Sequence, residues 1–309
     1  MGLPVTVYRS TDAGAPQLVT GKPSSWINIL KKVLVEGYGA KSPLGWTIEF
    51  EDAGTRSIVF RNSLTDGGSG CYVKFYSVGG SDNVYTTLGI KIAQSFTDIN
   101  TFVKGLGARG IVNPSGYNSW EIIGTSRGFY IGIINATDPI VTSGTQTNAT
   151  QYYFVGDIEP STPNDNSPFT IVNYKNSAGD DTSGGGLNMW NNTAYAQFNT
   201  TDGSAGTAVY SFLKSTFFQS DTTPQGNAEL LGINHTMVPV LICGATSQNS
   251  SVSMPFVRGK VPGLYNSTFA GYRTELWPYD ITQDGVKWVL VKAAYCSAQL
   301  WINAGEWYV

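Results

Sequence analysis

The residues with the most direct chemical meaning are a serine in a glycine-flanked motif and the chain's single histidine. Residues 124–128 (GTSRG) fit the nucleophile-elbow pattern G-x-S-x-G, and His235 lies downstream, in the order that α/β-hydrolases use. In that chemistry a strand-to-helix turn holds the serine hydroxyl beside a histidine base. Here a strand pattern stands on both sides of the motif, which predicts a β-hairpin turn. A serine hydrolase that uses Ser126 is kept as a distant alternative.

A second glycine motif, Gly105–Gly110 (GLGARG), fits the dinucleotide pattern G-x-G-x-x-G. A dinucleotide site needs a strand before the motif and a helix after it, so that the pyrophosphate lies at the helix N-terminus. In this sequence a helix-like stretch precedes the motif and Asn113-Pro114 soon follows it. We therefore predict an interdomain hinge and no dinucleotide site.

Metal-binding chemistry has few candidates. Carboxylates and amides that suit calcium cluster at Asn164–Asn166 and Asp180-Asp181, but neither cluster has EF-hand spacing, and we predict solvated loop tips. The chain has one histidine, and Cys71, Cys243 and Cys296 are far apart in sequence. We predict that these cysteines are buried free thiols, as expected in a reducing cytosol.

Aromatic side chains offer a carbohydrate-binding alternative, because their rings stack on sugars. The candidates are Tyr152, Tyr153, Trp190, Tyr195 and Trp277. Core or subunit-interface packing is the more common role for such residues in sheets. A glycosidase pair is defined by its spacing in space, and nothing singles out two of the 22 acidic residues. We predict a non-enzymatic protein with no catalytic, cofactor-binding or metal-binding residues and no cofactor.

The composition argues against two classes of partner. Charged residues make up 13% of the chain, the net charge is −3, and the densest basic pair is Lys31-Lys32, so we predict no nucleic-acid binding. The longest apolar runs, Val238–Cys243 and Val286–Ala294, are strand-sized and shorter than the roughly 20 residues of a helical membrane span, so we predict no membrane partner. Residues 1–6 show no secretory signal pattern, which predicts assembly in the cytoplasm.

One helix and many strands are expected to build the fold. Apolar residues at helical spacing predict a helix over Ser25–Val35, capped by Ser24 or Ser25 and stopped by Gly37, and a second short helix is predicted at Asp98–Lys104. Alternating apolar patterns and turn residues predict the strands. These are Trp46–Phe50, Ser57–Arg61, Cys71–Val78, Val84–Ala93, Trp120–Gly124, Phe129–Ile134, Tyr152–Ile158, Phe169–Tyr174, Ala194–Phe198, Ala208–Leu213, Val238–Gly244, Val286–Tyr295 and Gln299–Ile302.

The predicted fold class is mainly β, with a small N-terminal α+β domain followed by a larger antiparallel β-sandwich or barrel. We place the boundary so that residues 1–110 form an α+β docking domain and 111–309 an all-β domain. Three of four long polar loops, all except Glu159–Pro168, are expected to be disordered in the free protein and ordered by contacts between copies of a homo-oligomer. The four loops carry almost no core-forming residues. They are Thr142–Gln151, Glu159–Pro168, Asn176–Gly186 and Ser215–Asn227.

Three stretches of the sequence are similar to a known protein family. The first is Val7–Pro16, followed by a helix and then by Leu34–Lys41, Gly45-Trp46 and Ile58–Arg61; the others are Val257–Tyr265 and Gly285–Lys292. Together they resemble a group of virion structural proteins from tailed bacteriophages. That group has no catalytic residues to carry over.

The resemblance implies a subunit of the tail or baseplate, assembled in symmetric copies in the host cytoplasm. Its implied partners are other virion proteins and copies of itself, and its implied location is the virion. The alternative within the same family is a head-decoration, fibre or receptor-binding module whose later loops contact a glycan.

Overall fold

The chain is mainly β, and the predicted fold class is confirmed. A computed structural model describes residues 1–112, 116–137, 141–142, 151–173, 195–204, 207–213, 234–244, 253–267, 275–291, 293–294 and 300–309. Within these ranges the helical part is α1 (Pro23–Lys31), which continues as a π-helical turn, Lys32–Glu36. The predicted loops at 176–186 and 215–227, and most of 142–151, lie outside the described residues.

The strands are short and mostly antiparallel. In chain order they are β1 (Leu3–Pro4), β2 (Thr6–Arg9), β3 (Thr47–Asp52), β4 (Ser57–Arg61), β5 (Tyr72–Ser77), β6 (Leu88–Ala93), β7 (Ser95–Phe96), β8 (Phe102–Val103), β9 (Leu106–Ile111), β10 (Ser119–Gly124), β11 (Gly128–Ile134), β12 (Val141–Thr142), β13 (Gln151–Asp157), β14 (Glu159–Pro160), β15 (Phe169–Asn173), β16 (Tyr195–Asn199), β17 (Thr207–Leu213), β18 (Met237–Gly244), β19 (Val257–Ser267), β20 (Asp280–Gln283), β21 (Val286–Leu290), β22 (Ala293–Ala294), β23 (Leu300–Asn303) and β24 (Glu306–Trp307).

Helix α1 forms where the apolar spacing predicts it. Trp26, Leu30 and Val33 lie on one face and are fully buried, and the backbone leaves the helical conformation at Gly37, whose φ of 80° favours glycine. The predicted serine cap is wrong, because Lys22 occupies the N-cap position and Pro23 follows it in the first turn. Instead, the Ser25 hydroxyl accepts a hydrogen bond from Val19 N (2.8 Å).

The first sheet has the strand order β3-β4-β5-β6-β9 and packs its inner face on α1. Phe60 on β4 and Phe75 on β5 are completely buried in the same cluster as the helix. Trp46 precedes β3 and is also buried, with its indole Nε1 donating to Thr125 O (3.1 Å). The predicted packing of the helix on this sheet is confirmed.

The second predicted helix, Asp98–Lys104, is wrong. The segment is the turn and second strand of the hairpin formed by β7 and β8. The carboxylate of Asp98 accepts hydrogen bonds from Asn100 N (2.7 Å) and Thr101 N (2.9 Å). An aspartate that binds the backbone amides two and three residues ahead stabilises a turn as readily as a helix start, so the capping signal alone was ambiguous.

The second sheet is larger. Among the described residues its strands follow the path β2-β10-β11-β13-β15-β16-β17-β18-β19-β23-β21-β20, and β14 pairs with β19. A two-residue turn joins β20 and β21, with positive φ at both Asp284 (53°) and Gly285 (76°). That geometry suits a tight hairpin, and Asp-Gly is a favoured sequence for such a turn. Smaller pairs join β1 with β24 and β12 with β22.

Two large cores lie on the two faces of the second sheet. One core joins α1 and the first sheet to the near face of β10, β11, β13 and β15, and it contains Trp26 and Phe60 together with Trp120, Ile131 and Phe169. The other core collects side chains from nearly the whole strand path. Residues from both sides of position 110 therefore share one core, and the predicted domain boundary stays a prediction.

Several aromatic rings fill the space above a glycine. The Tyr152 ring lies against Gly132 on the neighbouring strand, where an added Cβ would stand 2.7 Å from ring atoms. The Trp307 indole lies against Gly263, where the corresponding distance is 2.0 Å. At these positions the ring takes the volume that a side chain on its partner would need.

Candidate functional site

Ser126 lies in the turn of a β-hairpin, as predicted. Strands β10 and β11 pair antiparallel with Gly124 opposite Phe129, so a strand and not a helix follows the motif. Ser126 is 8% exposed, and its backbone carbonyl accepts a hydrogen bond from Ser63 N (2.9 Å). The turn thus docks the second sheet onto the loop after β4.

The single histidine lies in a different setting. The His235 backbone exchanges two hydrogen bonds with the side-chain amide of Gln283, at 2.7 and 2.9 Å. Its imidazole packs near the Trp301 ring with 5.8 Å between centroids, and burial lowers its pKa. These contacts tie the segment before β18 to β20.

The predicted hinge at Gly105–Gly110 is wrong. Most of this segment is strand β9, which pairs antiparallel with β6 in the first sheet. The register places Gly110 opposite Gly89, and the Gly110 carbonyl accepts a hydrogen bond from the Tyr153 hydroxyl (2.6 Å). The glycines therefore allow a neighbouring strand and the Tyr153 side chain to approach the backbone of β9 closely, and they do not form a bend between domains.

The cluster at Asn164–Asn166 is exposed at its two asparagines, as predicted for a solvated loop tip, but its carboxylate is not solvated. Asp165 forms an ion pair with Arg258 (2.8 Å), and both side chains are fully buried. Burial raises the pKa of Asp165, although the Arg258 guanidinium acts in the opposite direction. Asp180-Asp181 lies outside the described residues, and no group of three His, Cys, Asp or Glu side chains with the arrangement of a metal site occurs in the described ranges.

The packing interpretation is confirmed for three of the five aromatic candidates, and the carbohydrate-binding alternative loses them. Tyr152, Tyr153 and Trp277 are all buried, so their ring faces are not available to a sugar. The other two lie outside what is described, Trp190 entirely and Tyr195 in its side chain.

The thiols that are described agree with the prediction. Cys71 and Cys243 are buried thiols, and Cys296 lies outside the described residues. Burial raises the pKa of Cys71 to about 11, so its thiolate is scarce at neutral pH. A cavity of about 20 Å³ beside Cys71 has the size of a single water site.

A buried carboxylate, Asp157, joins three distant parts of the chain. It accepts hydrogen bonds from Ser69 N (2.8 Å) and from Asn62 Nδ2 (3.0 Å), both in the loop between β4 and β5. The Arg127 guanidinium in the hairpin turn lies 3.6 Å away, which is an ion pair without a hydrogen bond. Burial raises the pKa of Asp157 despite these partners.

The same cluster holds the segment after β24. The Tyr308 hydroxyl donates to the Asp157 carbonyl (2.6 Å), and its ring lies 4.0 Å from the Arg127 guanidinium, a cation–π distance. The close approach depends on Gly128, where a Cβ would stand 2.7 Å from the Tyr308 hydroxyl. Arg127 and Asp157 therefore lock both sheets and residue 308 into one unit.

A second charged cluster closes the large sheet on itself. Arg9 on β2 donates to Glu121 Oε1 through Nε (2.6 Å) and forms a bidentate pair with Asp280 on β20 (2.6 and 2.8 Å). The fully buried Glu121 also accepts a hydrogen bond from the Tyr152 hydroxyl (2.6 Å). Because β2 and β20 are the two ends of the strand path, these side chains form a seam that gives the sheet a barrel-like closure.

The solvent side of the first sheet has a different character, with cations placed over rings. Arg61 lies over Tyr72 (5.2 Å), Lys74 over Tyr76 (5.3 Å) and Lys91 over Phe102 (3.6 Å), and we call this group the outer face. Lys74 and Lys91 are directly opposite on β5 and β6. Burial, and then repulsion from Lys91, lowers the pKa of Lys74. Two like charges placed side by side cost stability, and here Asp52 and Asp98 offset part of the repulsion by raising the pKa of Lys74.

Apolar side chains are exposed at the rim of the outer face. Phe102 and Val103 in β8 are 37% and 47% exposed, and Phe102 packs against Phe96 with 5.7 Å between ring centroids. A second exposed group, Val19 with Val84 and Tyr85, lies where Tyr85 N donates to Thr20 O (3.2 Å). Exposed large apolar side chains that adjoin cations are typical of contact surfaces.

A groove of about 290 Å³ lies on the other side of β3, against α1. Four of its six charged lining residues form ion pairs, with Lys31 bound to Glu51 (2.9 Å) and Lys32 bound to Glu36 (2.7 Å). A ligand here would have to displace ion pairs that are already formed, so the outer face is the stronger candidate for a contact.

Comparisons of the sequence with protein-family models and with curated proteins gave no match. The resemblance to tailed-phage virion proteins therefore stays a prediction. Of the helices in the described ranges, none has the length and apolarity needed to cross a bilayer.

Proposed function

We propose that this chain is a non-enzymatic structural subunit of a tailed-phage virion, most simply a tail or baseplate component present in symmetric copies. The observation that supports the proposal is the outer face with its apolar rim. Phe102 and Val103 are exposed there beside Lys91, in a chain with only 13% charged residues. Burying this surface against another protein removes apolar area from water and strips few ions of their hydration.

The charged clusters inside the molecule fit the same role. Arg127 with Asp157, Arg9 with Glu121 and Asp280, and Arg258 with Asp165 all connect segments that are far apart in sequence. In each cluster the charged side chains bind one another inside the protein and are not presented to a substrate. A subunit that must keep its shape within a particle benefits from such cross-links, because breaking any one of them leaves a buried charge without its partner.

The test is to alter the two exposed apolar side chains of the rim. We expect the double variant Phe102→Ser/Val103→Ser to lose self-association, or to be left out of particles that incorporate the unaltered protein. Leu64→Ser is the matched control, because Leu64 is 56% exposed in a different loop. Multi-angle light scattering over a concentration series measures association, and imaging of intact particles measures incorporation.

Three outcomes separate the proposal from its rivals. Unchanged association and unchanged incorporation of the double variant would refute a contact at this rim. Intact particles that no longer bind host cells or glycan would favour the head-decoration, fibre or receptor-binding module. Labelling of Ser126 by a serine-directed phosphonate, abolished by Ser126→Ala, would revive the hydrolase alternative.

A further inference from the structure

The outer face carries its charge on a continuous row of aromatic rings. Tyr72, Phe96 and Phe102 follow one another with 6.2 and 5.7 Å between ring centroids. Arg61 lies over the first ring of this row (5.2 Å), and Lys91 lies over the last (3.6 Å). A ring shields one side of its cation from water, so an anion that approaches from outside is attracted more strongly than it would be in bulk water.

Two of the cations on this face are held by neutral groups. Arg61 Nε donates to Gly70 O (3.0 Å), and the Lys74 ammonium donates to Asn100 Oδ1 (3.1 Å). Within the described part of the chain, neither Arg61 nor Lys74 lies within ion-pair distance of a carboxylate. Lys74 also stands directly opposite Lys91. Direct contact with an acid therefore does not neutralise these two side chains.

The two carboxylates that act on Lys74 electrostatically are engaged in turns. Asp98 is bound to the backbone amides of its own turn, as described above, and Asp52 accepts hydrogen bonds from Gly54 N (2.8 Å) and Thr55 Oγ1 (2.8 Å). Their attraction does not reverse the shift, because the pKa of Lys74 stays lowered, first by burial and then by repulsion from the lysine opposite. A carboxylate that contacts this face from outside would relieve that repulsion.

A second copy of the chain offers few carboxylates for such a contact. Within the described residues, most acidic side chains already have an ion pair or a hydrogen bond in their own chain, and the exceptions are Asp66, Glu275 and Asp284. Asp66 lies in the loop after β4, whereas the other two flank β20. An acidic surface that matches the outer face is therefore more readily supplied by a different protein.

We propose that the outer face binds a segment of a different protein in which carboxylates alternate with apolar side chains. The carboxylates contact Arg61, Lys74 and Lys91, and the apolar side chains cover the exposed Phe102 and Val103. This inference rests on the proposed function, because it names the partner of the contact surface proposed there.

The test uses the full-length chain and a fluorescent octapeptide of alternating Glu and Leu, with alternating Lys and Leu as the peptide of opposite charge. We expect anisotropy to show binding of the acidic peptide alone. Its affinity should fall as salt rises, because the Debye length shrinks from about 10 Å at 0.1 M to about 3 Å at 1 M.

Charge reversal locates the binding site. Lys91→Glu should weaken binding of the acidic peptide about tenfold, because repulsion replaces attraction, and Lys91→Met should weaken it less. Lys32→Glu makes the same change in net charge on the helix, where Lys32 is 40% exposed, and should bind as the unaltered protein does. If Lys91→Glu loses its near-ultraviolet circular dichroism, Lys74→Glu takes its place in the comparison.

The outcomes separate this inference from the proposed function. Equal binding of both peptides, or equal binding by Lys91→Glu and the unaltered chain, would overturn the acidic partner. Self-association that Lys91→Glu abolishes in light scattering would overturn it too, because the occupant would then be a second copy. If Phe102→Ser/Val103→Ser is left out of particles while Lys91→Glu is incorporated normally, the proposed contact stands and the acidic partner is wrong. Normal incorporation of both variants would refute the contact itself.

Discussion

The seam between β2 and β20 makes the sharpest stability prediction. Replacing Arg9 with Met removes three hydrogen bonds, one to Glu121 and two to Asp280. Glu121 is fully buried and keeps only the hydroxyl of Tyr152 among the contacts described above, whereas Asp280 keeps Lys287 (2.8 Å). The uncompensated charge of Glu121 therefore accounts for most of the expected loss in the free energy of unfolding.

Breaking a buried ion pair from one side costs about 3–5 kcal/mol. We expect Arg9→Met to lower the free energy of unfolding by about this amount, measured by urea denaturation with tryptophan fluorescence. The second substitution Glu121→Gln removes the stranded charge, so the double variant should regain part of the loss. Lys32→Met, at an exposed pair, should cost less than about 1 kcal/mol.

The prediction has a pH signature. Burial raises the pKa of Asp280, but hydrogen bonds from Arg9 and Lys287 outweigh it and lower the pKa overall. A lowered folded-state pKa stabilises the fold above the unfolded value of about 3.9, and this stability is lost as the pH falls through the folded value.

A loss below about 1 kcal/mol for Arg9→Met at pH 7, or no recovery in the double variant, would refute the reasoning.

Three further predictions concern other buried groups. Burial raises the pKa of Asp157, so its contribution to stability should decrease as the pH rises from about 4. In urea denaturation at rising pH, the stability of Asp157→Asn should therefore increase relative to that of the unaltered chain, and the opposite trend would contradict the assignment. Cys71 should react with a thiol reagent at neutral pH only after unfolding, because burial raises its pKa to about 11; rapid labelling of the native protein would show that it is accessible. Gly156→Ala should destabilise the fold by more than about 2 kcal/mol, because φ is 146° there and a Cβ would stand 2.3 Å from Gly128 Cα. Thermal unfolding measures how far this loss exceeds that of the control Gly285→Ala, which lies in an open turn.

Local patterns in the sequence predicted local structure well. The apolar stripe with Trp26 and Leu30 and the stop at Gly37 define the helix, and the hairpin at residues 124–128 follows from the strand patterns beside it. Strand β9 was missed because Gly107 and Gly110 break any alternating pattern. That strand is maintained by pairing with β6, which no local signal reports.

The charged clusters escaped sequence reasoning for a related reason. Arg9 and Asp280 are 271 positions apart, and neither stands in a motif. Asp165 looked like a loop carboxylate because its partner, Arg258, lies in a distant strand. The outer face was also missed, since its cations are separated along the sequence by apolar residues and never form a basic run. Only the strand register brings Lys74 and Lys91 together.

The rings that lie against glycines also constrain how this sequence can change over time. At Gly132 beneath Tyr152, and at Gly263 beneath Trp307, the two positions of each pair share one volume. Neither member can mutate freely alone: a methyl group on the glycine expels the ring, and a smaller ring opens a cavity. Substitutions at these pairs should therefore be epistatic, with Gly132→Ala tolerated far better beside a shortened residue 152. In related sequences the two positions of each pair should therefore change together, so that a substitution of the glycine accompanies a change of the ring.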